Sequence, residues 1–354
     1  MAALVFGPDR AARGSGRGTA LVLGAGGVLG AAWMTGALAC LAGRLPCPAG
    51  DADLIVGTSA GSVLAAALRC RVSLEEMLAW QRGQAAGIFT ESAALAAQDG
   101  PLPPLPRWRL GSPPLAAAGL LMPHRVPPWV AASAWLPHGR GQHAALRSLI
   151  GALEQRHQQQ RRQQQQQDPQ QQAHQQAGGR GWAEGRTWIA TVDYDTGQHV
   201  LFGQDGAPPA ALPEAVVASC SIPGWYEPAV IGGRRYVDGG VRSTTSLSVL
   251  RGTDASDIYV LAPMASTETD LPLQPHLRME RRVRQVITRA VIRQARELAR
   301  EGKRVTLLTP GPRDLAVMGI NLMDPRRREG VLELSLRTTA DALSELGTPA
   351  AQAA

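Results

Sequence analysis

The chain has 354 residues, enough for one large α/β domain or two smaller ones with a sizeable core. Its formal net charge of +7 is carried by arginine, because Lys303 is the only lysine. No aromatic platform or reading motif accompanies these arginines, so a nucleic-acid partner is not expected. The four cysteines show neither metal-ligand spacing nor the density of a disulfide scaffold. We therefore expect a reduced, cytoplasmic protein with no bound metal and no cofactor.

Neither a secretory signal nor a membrane span is expected. The first residues lack a basic stretch followed by a sustained apolar run, and no run of about twenty uncharged apolar residues occurs. Residues 1–18 are rich in glycine and arginine, which predicts a flexible leader. Residues 19–346 are expected to form the folded domain, and residues 347–354 a C-terminal tail.

Short buried strands alternate with helical patterns at the start of the folded domain. Each of the first two apolar runs leads through a glycine-rich turn into a helical pattern. Ser73-Leu74-Glu75-Glu76 is typical of a capping box, which starts a third helix. The predicted elements are strands at 19–23 and 53–56, and helices at 31–45, 60–71 and 74–84.

Two segments in the middle of the chain have unusual compositions. Residues 100–140 combine clustered prolines with Trp108, Trp129 and Trp135, so we expect sparse regular structure there. This segment is either a cap or membrane-touching face, or an irregular surface loop packed by its own tryptophans. Residues 157–180 contain a Gln/Arg tract that cannot build a packed core, which predicts a disordered surface insertion.

Beyond the tract, turn signals separate two pairs of short strands that are typical of hairpins, at 187–202 and 229–238. The remaining predicted elements are helices at 142–156, 212–220, 275–301 and 325–346, and strands at 257–261 and 305–308. Strands that alternate with helices favour a mostly parallel central sheet covered on both faces. The expected fold class is therefore a three-layer α/β/α arrangement.

A serine motif stands at the second predicted strand-to-helix junction. Gly57-Thr58-Ser59-Ala60-Gly61 matches G-x-S-x-G, which exposes a hydroxyl nucleophile on a sharp turn. Gly57 and Gly61 must be small because the strand and helix backbones come close. The following helix directs its positive end at Ser59, which favours developing negative charge. Taken alone, the motif is also compatible with a glycine-rich turn that ends in a capping serine.

A serine nucleophile needs a base. None of the seven histidines lies in a motif, and most fall in proline-rich or low-complexity stretches. Asp238 ends a predicted strand, and Gly239 and Gly240 allow the backbone to turn sharply and present the carboxylate at a sheet edge. Asp238 is therefore the better candidate, with a hairpin-capping aspartate as the alternative.

An upstream glycine turn, Gly24–Gly30, offers hydrogen-bond donors for an oxyanion. Gly26 and Gly27 lack side chains, so their N–H groups can face a tetrahedral intermediate at the start of a helix. The competing interpretation is dinucleotide binding, because Gly24 and Gly26 fit the first two positions of G-x-G-x-x-G. It is disfavoured because Leu29 occupies the third position and no acidic residue ends the second strand.

These three motifs, in this order, resemble those of the bacterial patatin-like phospholipase family. The family's oxyanion turn resembles Gly24–Gly30, its nucleophile elbow Gly57–Gly61, and its D-G-[GA] acid motif Asp238–Gly240. The similarity covers roughly residues 19–70 and 187–262.

The resemblance implies a Ser–Asp dyad without histidine. Ser59 would be acylated, Asp238 would act as the base, and Gly26 and Gly27 would form the oxyanion hole. The implied substrates are acyl esters of phospholipids, lysophospholipids or neutral glycerides, cleaved through an acyl-enzyme intermediate. Acyl transfer to another acceptor could use the same intermediate.

Two departures from the family pattern leave alternatives open. Leu29 stands where many relatives have Arg or Lys, which makes neutral or short-chain esters an alternative to phospholipids. The asparagine that is often found a few residues after the acid motif is either replaced here by Ser246 or missing. The arginine-rich helix near 278–304 suggests peripheral contact with an anionic membrane. The alternative is that its charged face is only exposed to solvent. Two further alternatives are a triad esterase that uses His276 and a non-catalytic lipid-binding relative.

Overall fold

Two compact units make up the chain in the computed structural model. The first comprises residues 1–64, 73–84 and 244–354, and the second comprises residues 65–72 and 85–243. The residues that the structure describes are 1–8, 18–84, 87–91, 104–167, 182, 185–268, 270 and 272–346.

Strands and helices alternate along most of the described chain. The strands are β1 (Ala2–Phe6), β2 (Gly18–Leu23), β3 (Leu54–Thr58), β4 (Arg107–Leu110), β5 (Pro137–His138), β6 (Arg186–Asp193), β7 (His199–Phe202), β8 (Ala229–Ile231), β9 (Arg234–Asp238), β10 (Ala255–Leu261) and β11 (Arg304–Thr309). The main helices are α1 (Gly27–Leu41), α2 (Ala60–Arg69), α3 (Leu74–Gln81), α4 (Pro113–Leu121), α5 (Pro128–Ser133), α6 (Ala144–Gln167), α7 (Leu212–Cys220), α8 (Pro275–Arg300), α9 (Pro312–Met318) and α10 (Arg328–Leu346). Across the described ranges, no helix is both long and apolar enough to cross a bilayer.

The first unit is built on a sheet with the strand order β1-β11-β10-β2-β3. The last four of these strands run parallel, and β1 pairs antiparallel with β11 at the edge. Every residue of β3 is buried, as is typical of parallel strands that are covered on both faces. The predicted α/β class with a mostly parallel sheet is therefore confirmed.

Helices α1 and α10 pack closely within the first unit. A Cβ atom on Gly36 of α1 would lie 3.0 Å from the Ser335 side chain of α10. The Ser335 hydroxyl donates a hydrogen bond of 2.7 Å to the carbonyl oxygen of Trp33, and both side chains are fully buried. This contact holds in place the helix that begins directly after the Gly24–Gly27 turn.

The second unit contains antiparallel strands, because short turns join them in pairs. Strand β6 pairs with β7 and with β9, and β9 pairs with β8. Both predicted hairpins are thereby confirmed. Helix α7 contacts α6, β6 and β9, which places it over the strand that ends at Asp238.

Residues 104–140, which we call the cap, form a small substructure of the second unit. Strands β4 and β5 pair with each other, and α4 and α5 approach where a Cβ on Gly119 would meet Ala131. The buried faces of both helices pack on the strands of the unit. That core consists of Leu115, Ala116, Val126, Val130 and Ala134 from the cap with Val192, Tyr194 and Val237 from the strands and the residue that follows β6.

The cap contradicts the expectation of sparse regular structure in residues 100–140. Its prolines begin helices instead of interrupting them, since Pro113 and Pro128 each stand in the first turn of a helix. Proline is tolerated there because the first helical N–H groups have no intrahelical acceptor. Residues 100–103 of the predicted segment lie outside the described residues.

Two other expectations about flexible segments are wrong. Residues 2–6 of the predicted leader form β1, because their apolar side chains find an edge partner in β11. Helix α6 continues to Gln167, so residues 157–167 of the predicted disordered insertion are helical. Glutamine and arginine are good helix formers and extend a helix that is already nucleated. Residues 9–17, 168–180 and 347–354 lie outside the described residues.

The Gly36 contact leads to a prediction about stability. We expect Gly36→Val to lower the free energy of unfolding by about 1–3 kcal/mol, because the added methyl groups overpack the α1–α10 contact. Urea denaturation measures this change. The control is Gly43→Val, since Gly43 is exposed and nothing lies within 4 Å of a Cβ placed there. Equal losses in the two variants would contradict this account.

Candidate active site

Ser59 lies on a strained turn between β3 and α2. Its backbone φ angle is 53°, in the left-handed region that non-glycine residues rarely adopt. Its side chain is buried, and its carbonyl oxygen accepts hydrogen bonds from the backbone N–H and the hydroxyl of Ser62, at 2.8 and 2.6 Å. Such strain is concentrated at functional sites, and here it presents a hydroxyl at the N-terminus of a helix.

Steric contacts explain the two glycines of the serine motif. A Cβ on Gly57 would lie 2.6 Å from the Cα of Ser62, and a Cβ on Gly61 would overlap the carbonyl oxygen of Leu23. No other residue fits either position without a backbone shift. The contact between Gly61 and Leu23 also shows that α2 begins beside the end of β2.

The glycine turn after β2 therefore lies next to the Ser59 turn. In the parallel pairing of β2 with β3, Leu23 is opposite Gly57, so both turns leave the same edge of the sheet. Gly24 donates its N–H to the carbonyl oxygen of Leu261 at 3.0 Å, which ties the turn to β10. The carboxyl ends of parallel strands are the usual place for ligands in such folds.

Gly26 and Gly27 present N–H groups at this edge. Gly26 is the residue before α1, and Gly27 has a φ angle of 61°, which favours glycine. A Cβ on Gly26 would lie 2.7 Å from Pro263, and one on Gly27 would lie 2.8 Å from the sulfur of Met323. Among the described residues, neither N–H has a protein acceptor. The pair can therefore donate to an anionic group at the N-terminus of α1.

Asp238 is held rigidly at the end of β9 in the second unit. It pairs with Thr191 of β6, and its N–H donates to the carbonyl oxygen of Ser221 at 3.0 Å. One carboxylate oxygen accepts the N–H of Gly240 at 2.7 Å, and the residue is 5% exposed. A Cβ on Gly239 would overlap the carbonyl oxygen of Ala190, so the turn after Asp238 requires glycine.

Sequence reasoning did not anticipate the partner of Thr58, the residue before Ser59. The Thr58 hydroxyl lies 3.1 Å from the Ser246 hydroxyl, and both side chains are fully buried. Ser246 has a φ angle of 53°, so it shares the left-handed conformation of Ser59. The sequence signal was only that Ser246 follows the Asp238–Gly240 motif by a few residues.

Two of the described histidines, His143 and His199, are largely buried, and a third, His276, is exposed. The His143 ring stacks on Tyr226, and its Nε2 atom lies 3.1 Å from the carbonyl oxygen of Cys220. Burial lowers the pKa of His143 to about 4, which makes it a weak base. Burial, assisted by the charge of Arg242, likewise lowers the pKa of His199 to about 4. His276 lies exposed in the first turn of α8.

Leu29 is fully buried on α1, and its N–H donates to the carbonyl oxygen of Leu322 at 2.9 Å. A core leucine at this position cannot contribute a charge to substrate recognition. Over the described ranges, no group of three or more His, Cys, Asp or Glu side chains could hold a metal ion.

The model of the patatin-like phospholipase family matches residues 21–174 and 175–251 of the chain. No curated protein matches the chain. Among solved structures, VipD from Legionella pneumophila is 12% identical with a TM-score of 0.41, over 93% of this chain and 67% of that one. The type III effector protein ExoU is 16% identical with a TM-score of 0.31, over 97% of this chain and 63% of that one. The chain thus spans about two thirds of the length of each structure.

The burial of His143 leads to a prediction about pH. An unfolded histidine titrates near 6.5, so between about pH 6.5 and 4 the unfolded chain binds more protons at this residue than the folded chain. The stability contributed by neutral His143 is therefore lost as the pH falls. We expect His143→Gln to reduce the loss of unfolding free energy between pH 7 and pH 5 by about 1–2 kcal/mol.

Urea denaturation at the two pH values tests this prediction, with His276→Gln as the exposed control. If His143→Gln and the wild-type chain lost the same free energy on acidification, His143 would have an ordinary pKa and the prediction would be wrong.

Proposed function

The chain belongs to the patatin-like phospholipase family, and from this premise we propose that it is a serine acyl hydrolase acting on carboxylic esters of lipids. One observation carries the proposal: the strained Ser59 turn lies beside the turn that holds the unpaired N–H groups of Gly26 and Gly27. A nucleophile and oxyanion donors at the same sheet edge are the two parts that acyl transfer requires.

In the proposed mechanism, the Ser59 hydroxyl attacks the carbonyl carbon of the ester while its proton passes to the Asp238 carboxylate. The carbonyl oxygen becomes an oxyanion, which the N–H groups of Gly26 and Gly27 stabilise. When the tetrahedral intermediate collapses, the bond to the leaving alcohol breaks and the alcohol takes the proton from Asp238. The acyl group remains esterified to Ser59.

Water then hydrolyses the acyl-enzyme with the help of the same groups. Asp238 accepts a proton from the water as it attacks the acyl-enzyme, and the oxyanion forms again at Gly26 and Gly27. Collapse returns the proton to Ser59 and releases the fatty acid. The rigid hold on Asp238, by the N–H of Gly240 and the carbonyl of Ser221, supports its assignment as the base. The weak basicity of His143 and His199 supports a dyad that contains no histidine.

The substrate we propose is a phospholipid or lysophospholipid presented at an anionic membrane surface. One observation favours a second candidate, the esters of neutral glycerides and short-chain alcohols. Leu29 is an uncharged residue buried in the core. This position beside the oxyanion turn therefore supplies no cation for a lipid phosphate. A panel of phospholipid, lysophospholipid, triglyceride and p-nitrophenyl esters separates the two candidates.

The first functional prediction concerns the dyad. We expect Ser59→Ala and Asp238→Asn each to lower kcat/KM by about three orders of magnitude or more, because each removes a group that acts in the transition state. Hydrolysis of p-nitrophenyl butyrate measures the effect. His276→Ala is the control, and we expect it to retain full activity. Loss of activity in a folded His276→Ala protein would instead favour a triad esterase.

The second functional prediction concerns the nucleophile itself. A fluorophosphonate probe forms a covalent bond only with an activated serine, so we expect it to label the wild-type chain and not Ser59→Ala. Mass spectrometry of the labelled peptide identifies the site. Ser62→Ala is a matched control on the same turn and should still be labelled. An unlabelled wild-type chain would indicate a non-catalytic lipid-binding relative.

A further inference from the structure

The cap exposes an unusual amount of large apolar surface. Nine of the sixteen large apolar side chains that are exposed in the described chain belong to it. Trp108 is fully exposed and Leu121 is 78% exposed. The nine are Leu105, Trp108, Leu110, Leu120, Leu121, Met122, Trp129, Trp135 and Leu136. Such a concentration on a soluble surface marks an interaction site.

The exposed side chains are the outer face of a folded substructure. On α4, Leu115 and Ala116 are buried in the core while Leu120 and Leu121 point to solvent. On α5, Val130 is buried beside the exposed Trp129. The cap therefore has an inner face that holds it to the second unit and an outer face with no covering element among the described residues.

The charge around this outer face has one sign. From residue 100 to residue 153 the sequence contains no Asp or Glu and five arginines. All five are exposed, and none has an acidic partner in the part of the chain that the structure describes. They are Arg107, Arg109, Arg125, Arg140 and Arg147. The carboxylate that touches the base of the cap, Asp195, is paired with Arg235.

The arginine-rich helix α8 differs in this respect. Arg281 is paired with Asp270 and Glu280, and Arg284 is paired with Glu280 and nearly fully buried. Glu297 on the same helix pairs with Arg251. Two of the eight arginines of α8 are therefore compensated within the first unit, whereas no arginine of the cap has an acidic partner among the described residues.

We infer that the outer face of the cap docks on a bilayer with anionic headgroups. Tryptophan is favoured at the membrane interface, where its ring is apolar and its N–H can still donate a hydrogen bond. Leucine and methionine enter the acyl region, and the exposed arginines attract the anionic headgroups. A second copy of the chain fits less well, because the four arginines of the cap would face the same four arginines of the other copy. Single-stranded nucleic acid fits less well too, because six of the nine exposed side chains are leucine or methionine, which offer no stacking surface to bases.

The docking face is joined to the turn that follows Asp238. The indole N–H of Trp129 donates to the carbonyl oxygen of Arg242 at 3.3 Å, and α5 contacts the turn at residues 239–241. The core of the cap also includes Val237, the residue before Asp238. Docking therefore places the proposed base near the lipid surface, a consequence that rests on the proposed function.

Vesicle binding by the Ser59→Ala chain tests the inference without turnover. We expect the protein to co-sediment with vesicles of palmitoyl-oleoyl phosphatidylglycerol far more than with phosphatidylcholine vesicles, and binding to fall as salt rises. Two changes on the cap, Trp108→Ser with Leu121→Ser, should weaken the binding about tenfold or more. Arg107→Gln with Arg109→Gln should do the same.

Matched controls lie on α8, where apolar side chains and arginines are also exposed. Val283→Ser with Val286→Ser is the apolar control, and Arg289→Gln with Arg293→Gln is the charge control. We expect both to bind vesicles as the parent does. Binding that survives both cap changes, or that is lost only in the α8 variants, overturns the inference. The inference is also overturned if the protein does not bind vesicles and instead forms a dimer, or binds single-stranded RNA, through the cap.

Activity measurements separate this inference from the proposed function. With Ser59 restored, we expect the cap variants to hydrolyse p-nitrophenyl butyrate in solution at the parent's rate and to lose activity on phosphatidylglycerol vesicles about tenfold. An unchanged rate on the soluble ester also shows that the variants fold. If the chain bound vesicles but hydrolysed no ester, the docking face would be retained and the proposed hydrolase activity would be rejected.

Discussion

The close approach of two strand-to-helix turns governs the candidate site of the first unit. Parallel pairing sets Leu23 beside Gly57, so both turns leave one edge of the sheet. Helix α2 then begins so near β2 that only glycine fits at Gly61. Within this space the chain turns through the left-handed conformation of Ser59, a strain that the surrounding sheet must stabilise. Steric room therefore accounts for the glycines of the motif, and the left-handed turn at the nucleophile follows from it.

The buried hydroxyl pair of Thr58 and Ser246 gives the elbow a second support. A left-handed backbone is least costly for glycine and asparagine, so Ser246 at 53° is strained much as Ser59 is. Its hydroxyl meets that of Thr58, which places a polar contact directly behind the nucleophile. Ser246 therefore links the segment after the Asp238 motif to the residue before the nucleophile. The sequence could not reveal this, because the two residues are 188 positions apart.

Features that depend on neighbours in sequence were predictable from the sequence. The capping box at Ser73, the two hairpins and the steric demand for glycine beside Ser59 all follow from local chemistry. Features that depend on distant partners were not. Strand β1 exists because β11, some 300 residues later, offers an edge, and α6 extends through the glutamines because the preceding helix nucleates it. The cap was misjudged because a proline can begin a helix as readily as it breaks one.

Composition alone does not distinguish the two basic surfaces, the cap and helix α8. The arginines of α8 are more numerous than those of the cap, and Asp270 and Glu280 pair with two of them, Arg281 and Arg284, within the first unit. From residue 100 to residue 153, a stretch that includes the cap, the absence of carboxylates leaves each arginine of the cap available to an external anion. The exposed tryptophans and leucines stand among these arginines, and their inner neighbours pack against the strand that ends at Asp238. The concentration of exposed tryptophan and leucine in a stretch without carboxylates, and not the number of arginines, therefore favours the cap as the face that meets the lipid.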